Sequence, residues 1–167
     1  MAVLTVLQYP DERLRTQATP VVNITPDIQS FVKDMIDTMY ADRGVGLAAT
    51  QVNRHQLIFV IDVSEKHNTP QVFINPDIIA HEGTVDSEEG CLSVPDIYNT
   101  VKRHAWVHVK AQNIDGEYFE IKTDGYLAMA IQHELDHLHG ILFIDRLSPL
   151  KRQMAIKKME KNRKQVY

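Results

Sequence analysis

The plainest chemistry in this 167-residue sequence lies in one short stretch, His133-Glu134-Leu135-Asp136-His137. On a helix, residues four apart stand one turn above each other, so both imidazoles can reach a single metal ion. Glu134 projects about 100° round from His133 and is placed to meet a metal-bound water rather than the metal itself. That set suits hydrolysis: the metal acidifies a water and polarises a carbonyl, while the carboxylate takes a proton and returns it to the leaving nitrogen. The plain alternative is a solvated helix with two surface histidines. Composition alone gives about 0.02 such motifs in a chain of this length, so the third ligand has to decide the class.

The metzincin pattern H-E-x-x-H-x-x-G-x-x-H is excluded, because Gly140 is in place but Phe143 occupies the ligand position. A thermolysin-like site takes a downstream glutamate, and Glu160 is the only one, set in a basic tail that is a poor rigid support. Such a peptidase would survive loss of Cys91. Cys91 itself, within Glu89-Gly90-Cys91-Leu92-Ser93, is the remaining candidate and the only cysteine. A structural Cys-His-His module with an RNA-binding tail would require a fourth protein ligand, and no further cysteine exists. Three ligands from Cys91, His133 and His137 leave one coordination position open, as catalysis requires.

These groups need elements to hold them. Asp124 is expected to cap a helix that runs to about Leu138 and stops at Gly140, carrying both histidines. Ala130, Met129 and Tyr126 lie three, four and seven residues before His133 and share its face. With Val45 they are candidates for an apolar slot, the alternative being ordinary core packing. On a strand through Cys91, period two puts Glu89 and Ser87 on the same side. Glu89 is assigned to the substrate-binding wall and also as a partner for Arg103 behind the site. His139 is read as a surface residue, and His55, His67, His81, His104 and His108 show no pairing that suggests chemistry.

Elsewhere, Ile28, Phe31, Val32, Met35, Ile36, Met39 and Tyr40 recur at helical spacing behind Thr25-Pro26, with Gly44 just past the end. Leu57 to Ile61 reads as a buried strand, and Val72-Phe73-Ile74 as another that stops at Asn75-Pro76. Trp106 to Gln112 and Tyr118 to Lys122 flank the hairpin signal Asp115-Gly116. Ser148-Pro149 opens a last helix. Strands and helices are grouped rather than alternating, which predicts an α+β fold of mixed or antiparallel strands around a central metal-binding helix, with an amphipathic helix in the first half and a C-terminal helix.

Composition fits one domain, with 44% hydrophobic and 24% charged residues. The expected division is a body over residues 1–147 and a basic C-terminal helix of the same domain over 148–167. Residues 1–150 carry 11 Lys/Arg against 21 Asp/Glu, net −10, whereas residues 151–167 carry 7 against Glu160 alone, net +6. The body repels nucleic acid and the tail attracts polyanions. One cysteine, no basic leader and no long apolar run lead us to expect a cytoplasmic protein that binds no membrane. A monomer that does not bind DNA is expected as well.

Three segments together resemble the peptide deformylase family: Gly44-Val45-Gly46-Leu47-Ala48-Ala49-Thr50-Gln51, Glu89-Gly90-Cys91-Leu92-Ser93 and Gln132-His133-Glu134-Leu135-Asp136-His137. The opening Tyr9-Pro10-Asp11-Glu12-Arg13-Leu14 and the C-terminal helix of the Gram-negative-like type are similar too. The resemblance implies removal of the formyl group from formyl-methionine of nascent polypeptides. It implies one divalent metal ion, Fe2+ in the cell, with Zn2+, Ni2+ or Co2+ able to substitute. It also implies that the Gln51 side-chain amide and the Leu92 backbone N–H act as oxyanion donors. Gly44 and Gly46 would let backbone approach a substrate closely, so Gly46 joins Val45 among the expected substrate-binding residues. The ribosome becomes the expected polyanion for the tail. Thr50 stands where many members have proline, and Tyr98 where many have arginine. Tyr98 bears on how the peptide beyond methionine is held.

Overall fold

Thr25 accepts a hydrogen bond from the Ile28 N–H at 3.3 Å, and Pro26 at the first helical position needs no such partner. From that start α1 (Pro26–Ala41) turns Ile28, Phe31, Val32, Met35 and Met39 to one buried side. The structure, a computed structural model, describes residues 2–166, with side chains described to residue 164. After α1 come β1 (Gly46–Ala48), β2 (Ile58–Ile61), β3 (Gln71–Glu82), β4 (Val85–Cys91), β5 (Val94–Arg103), β6 (Trp106–Gln112) and β7 (Tyr118–Asp124). The chain ends in α2 (Gly125–Leu138) and α3 (Pro149–Val166). Short 3-10 turns occupy Glu12–Arg15, Ala49–Val52 and Phe143–Arg146.

Five strands form one antiparallel sheet in the order β1-β2-β3-β6-β7, and β4 pairs with β5 in a separate antiparallel hairpin. All four residues of β2 are buried because the strand lies between two layers. Phe59 and Ile61 pack with Phe73, Val107, Val109 and the α2 residues Ala128, Ile131 and Leu138. Ile58 and Val60 point the other way, onto Val32, Met35 and Met39 of α1. Each such side chain taken fully out of water contributes about 1.5–3 kcal/mol, so both helices are clamped to the sheet. The expected α+β architecture is therefore present, with every strand pairing in the two sheets antiparallel.

Two expectations need correction. The strand at Val72 does not stop at Asn75-Pro76; β3 runs on to Glu82. Asn75 adopts φ +53°, a register shift separates Ile74 from Asp77, and the Asn75 side chain bonds both Val21 backbone groups and Gln112. The bulge absorbs what would otherwise end the strand. Asp124 does stand at the N-cap position of α2, but its side chain makes no capping bond. Gly125 at φ +65° instead redirects the chain straight from β7 into the helix.

The helix end behaves as expected. Gly140 has φ +76°, and a Cβ there would stand 2.6 Å from the Arg15 carbonyl oxygen. α3 is anchored rather than loose: Ala155 and Met159 are buried with Leu7, Ile97, Val101 and Ile144. Its basic side chains, from Lys151 to Lys164, face solvent. Among the described residues no helix is long and apolar enough to cross a membrane.

Candidate metal centre

α2 is buried along most of its length, from Ala130 to Glu134 and again from Asp136 to Leu138. This burial carries His133, Glu134 and His137 into the interior against the sheet. β4 brings Cys91 to meet them. Its register shifts between Glu89 and Cys91, so the strand bulges at Gly90 just before the ligand candidate. A side chain at Gly90 would collide with the Tyr98 ring at 2.6 Å. The Cys91 sulfur lies 3.2 Å from His137 Nε2, and one ligand atom each from Cys91, His133 and His137 fall within 4.8 Å of one another. It is the one His/Cys/Asp/Glu group of that kind among the described residues. Glu160 lies on an exposed face of α3 and takes no part.

The surroundings fit a soft, positively charged occupant. A thiolate with two imidazoles is a donor set that binds first-row divalent metals. Burial alone would push the His133 imidazole down, yet the Cys91 sulfur and the Glu89 carboxylate beside it raise it well above its ordinary value. The negative groups there thus favour positive charge. His137 is lowered instead, first by burial and then by the positive charge of His133 and Arg103. Gln51 Nε2 at 3.6 Å and the Ser93 N–H at 3.4 Å both donate toward the Cys91 sulfur. Behind the ring, His133 Nδ1 meets Glu89 Oε1 at 2.8 Å, which leaves Nε2 to face the ligand cluster.

Glu134 is the odd member. Its Oε1 is buried with no hydrogen-bond partner, and the carboxyl is pushed up to about 7, first by burial and then by the negative charges of Glu89 and Asp136. Gly46 provides the room it needs: a Cβ there would lie 2.5 Å from Glu134 Oε2. Gln51 is oriented from both ends. Its Oε1 accepts from the Ala48 N–H at 2.9 Å and its Nε2 donates to Ser93 Oγ at 2.9 Å, so the amide nitrogen is the end turned toward Cys91. Leu92 occupies the two-residue turn between β4 and β5, directly after Cys91, with its side chain against Gly44.

A cavity of about 590 Å3 opens onto these groups. Val45, Gly46 and Leu92 line one side of it, and Tyr126, Met129 and Ala130 another. The three helical positions share the face of His133, as their spacing predicts. Cys91, Gln51, His133 and Glu134 also line it, whereas His137 lies behind its wall. Glu89 borders the cavity too, but both its oxygens are taken by Arg103, and one of these also by His133. It serves the support expected of it rather than offering a free contact for a substrate. Sequence reading missed Ser93, Asp136 and Arg146. Asp136 lies inside the recognised motif, but only the folded path of the following turn shows what it binds. His139 is exposed and meets Gln17, in keeping with a surface role. His81 and His104, unpaired in the sequence reading, stack with ring centroids 3.8 Å apart.

An antiparallel sheet backing a buried HExxH helix, with a cysteine from a neighbouring strand at the same point, defines a metal-dependent hydrolase. Comparison with known proteins narrows that class. The sequence model of the polypeptide deformylase family matches residues 3–153. A peptide deformylase of Pseudoalteromonas translucida is 58% identical over 164 residues, covering 98% of each chain. The crystal structure of a peptide deformylase from Legionella pneumophila superposes with a TM-score of 0.94 at 47% identity, covering 98% of this chain and 96% of that one. The peptide deformylase of Ehrlichia chaffeensis, solved with actinonin, gives 0.92 at 38% identity, covering 97% and 98%. The chain belongs to the peptide deformylase family, whose enzymes remove the N-terminal formyl group from nascent polypeptides in a metal-dependent reaction.

Proposed function

We propose that this enzyme hydrolyses the formamide of N-formylmethionyl peptides with Cys91, His133 and His137 holding one divalent cation, Fe2+ in the cell. The observation that carries the reading is the convergence of those three ligand atoms within 4.8 Å beside the buried, unpartnered Glu134 Oε1. When bound, the cation supplies Lewis acidity to a water and to the formyl oxygen. Zn2+, Ni2+ or Co2+ suit the same donors.

The chain's own groups do the rest. Glu134, with its carboxyl held near neutrality, takes the proton of the attacking water and passes it to the leaving amine nitrogen. The amide must lose a neutral amine, so a group that only removed protons would stall the second half of the reaction. Gln51 Nε2, its orientation locked by Ala48 and Ser93, and the Leu92 N–H donate to the developing oxyanion. Val45, Gly46, Tyr126, Met129 and Ala130 form the apolar side that receives the methionine side chain. Ferrous iron beside a thiolate is prone to oxidation, which makes the iron form the air-sensitive one.

The basic face of α3 is assigned to the ribosome, a polyanion at the place where formylated chains emerge, which sets the enzyme in the cytoplasm; the enzyme is taken to act as a monomer. Burial of Ala155 and Met159 supports a helix fixed to the body, with Arg152 held by Asp145, Arg163 donating to the Tyr9 carbonyl, and the exposed lysines Lys151, Lys157, Lys158, Lys161 and Lys164 turned to solvent for that contact. The direct test is formate release from a formyl-Met peptide by the full chain loaded with one defined metal, with the acetyl-Met peptide as control. Cleavage of the formyl peptide alone is expected. Equal cleavage of the acetyl peptide, or none with any of the four metals, overturns the reading.

A further inference from the structure

Behind His133 a line of ion pairs runs out to the surface across four elements. Glu89 Oε1 accepts from His133 and from Arg103 Nη2 at 2.7 Å, and Glu89 Oε2 accepts from Arg103 Nε at 2.9 Å. The same Arg103 reaches Asp136 Oδ2 through Nη1 at 2.6 Å. That oxygen is shared with Arg146 Nε at 2.6 Å, while Arg146 Nη2 takes Asp136 Oδ1 at 2.7 Å. Side-chain exposure is 7% at Glu89, reaches its minimum of 2% at Arg103, and then climbs to 12% at Asp136 and 41% at Arg146.

Each link is shared, so the charges compete. Asp136 Oδ2 divides its attraction between two guanidiniums, and Arg103 divides its own between two carboxylates. A change at the outer end must therefore redistribute charge at the inner end. With Arg146 removed, Asp136 draws harder on Arg103, Arg103 relaxes its hold on Glu89, and Glu89 becomes a stronger acceptor for the His133 N–H. A better acceptor raises the basicity of the opposite ring nitrogen. Removing Asp136 charge does the reverse: Arg103 turns wholly to Glu89 and weakens it as an acceptor.

We propose that Asp136 and Arg146 are positioning residues which set, through Arg103 and Glu89, how strongly His133 donates to the metal. The inference rests on His133 being a ligand, as proposed above. It predicts opposite signs for two substitutions on the same line. That signature cannot come from simple loosening of the fold, which weakens binding whichever partner is lost.

The experiment uses the full chain loaded with zinc and competed with a chelator, alongside the thermal midpoint of each variant. Asp136→Asn is expected to give up zinc about tenfold more readily. Arg146→Met is expected to hold it a few-fold more tightly despite losing two hydrogen bonds, and Arg146→Lys, which keeps the charge, to lie closer to the parent. With Co2+ in place of zinc, the visible bands of the two variants should move in opposite directions. If Arg146→Met loses zinc as Asp136→Asn does, or leaves affinity unchanged, the relay is structural only and the proposal falls. Should Asp136→Asn fail to fold, the direction of the Arg146→Met change decides alone. His133→Ala serves as the separate control: full zinc retention there overturns the ligand assignment itself, not merely the relay.

Discussion

The two sides of the His133 ring hold carboxylates at nearly the same depth and in opposite states. Glu89 behind it is 8% exposed and Glu134 in front 4% exposed. Burial raises both, yet Glu89 ends at about 2 while Glu134 ends at about 7. Arg103 and His133 donate to the oxygens of Glu89, whereas Glu134 Oε1 receives nothing. Depth therefore does not decide whether a buried carboxyl is charged; its donors do. The back wall is a fixed anion that orients a ligand, and the front wall is a carboxyl able to hold a proton and release it.

The largest effect should come from removing that front-wall capacity. Glu134→Gln keeps the shape and cannot shuttle a proton, so formate release should fall about 10²–10⁴-fold with metal content still near one ion per chain. Loss of metal as complete as that expected for Cys91→Ala would make Glu134 a ligand and erase the distinction between the walls. Gly46→Ala attacks the same carboxyl without touching it chemically. The new Cβ would stand 2.5 Å from Glu134 Oε2, and Gly46 has no unusual backbone angle to complicate the result. Displacement of a catalytic group by about 1 Å can cost about 10²-fold, so turnover should drop toward that extent while the thermal midpoint moves little.

The back wall should answer in a different currency. Glu89→Gln retains an acceptor for His133 but removes the anion that Arg103 and the ring share. Metal affinity, read by chelator competition, should fall about 10–100-fold. Turnover of the fully loaded variant should fall less than metal retention does. An equal fall in both would mean that the two walls do not divide the work.

How much of this was open to sequence reading follows the same division. Cys91, His133, Glu134 and His137 could be found because side-chain type and helical period are local properties. The pocket face Tyr126, Met129 and Ala130 followed from the same period. Glu89 with Arg103 could be guessed from strand alternation, but not the further links to Asp136 and Arg146. Those depend on where the 3-10 turn Phe143–Arg146 carries its last residue, and no spacing rule gives that. β5 carries no such signal, because Pro95, Asp96, Asn99 and Lys102 interrupt any alternation, and Val94, Ile97 and Val101 are buried by the bodies of α3 and the Phe143 turn. The length of β3 is hidden for the opposite reason. Asn75-Pro76 carries a strong local stop signal, and the bonds that overrule it come from Val21 and Gln112, far away in the chain.

A third carboxyl tests the donor rule away from the metal, with the smallest expected effect. Asp62 follows β2, is 1% exposed, and its own N–H bonds the Val45 carbonyl under the cavity wall at 2.8 Å. Burial raises it, but donors from Ser64, Tyr40 and Thr69 outweigh that and hold it at about 2 against an ordinary 3.8. A folded value below the unfolded one means the carboxylate stabilises the fold above pH 3.8, and that this contribution drains away as pH falls toward 2. Asp62→Asn should lower the thermal midpoint by a few degrees between pH 5 and pH 7, with the gap to the parent constant across that window. Below pH 4 the gap should close, because the parent then loses by protonation what the variant lacks already. A gap that stays constant down to pH 2 would mean the donors around Asp62 do not favour its charged form, and the same argument would then lose its force for Glu89.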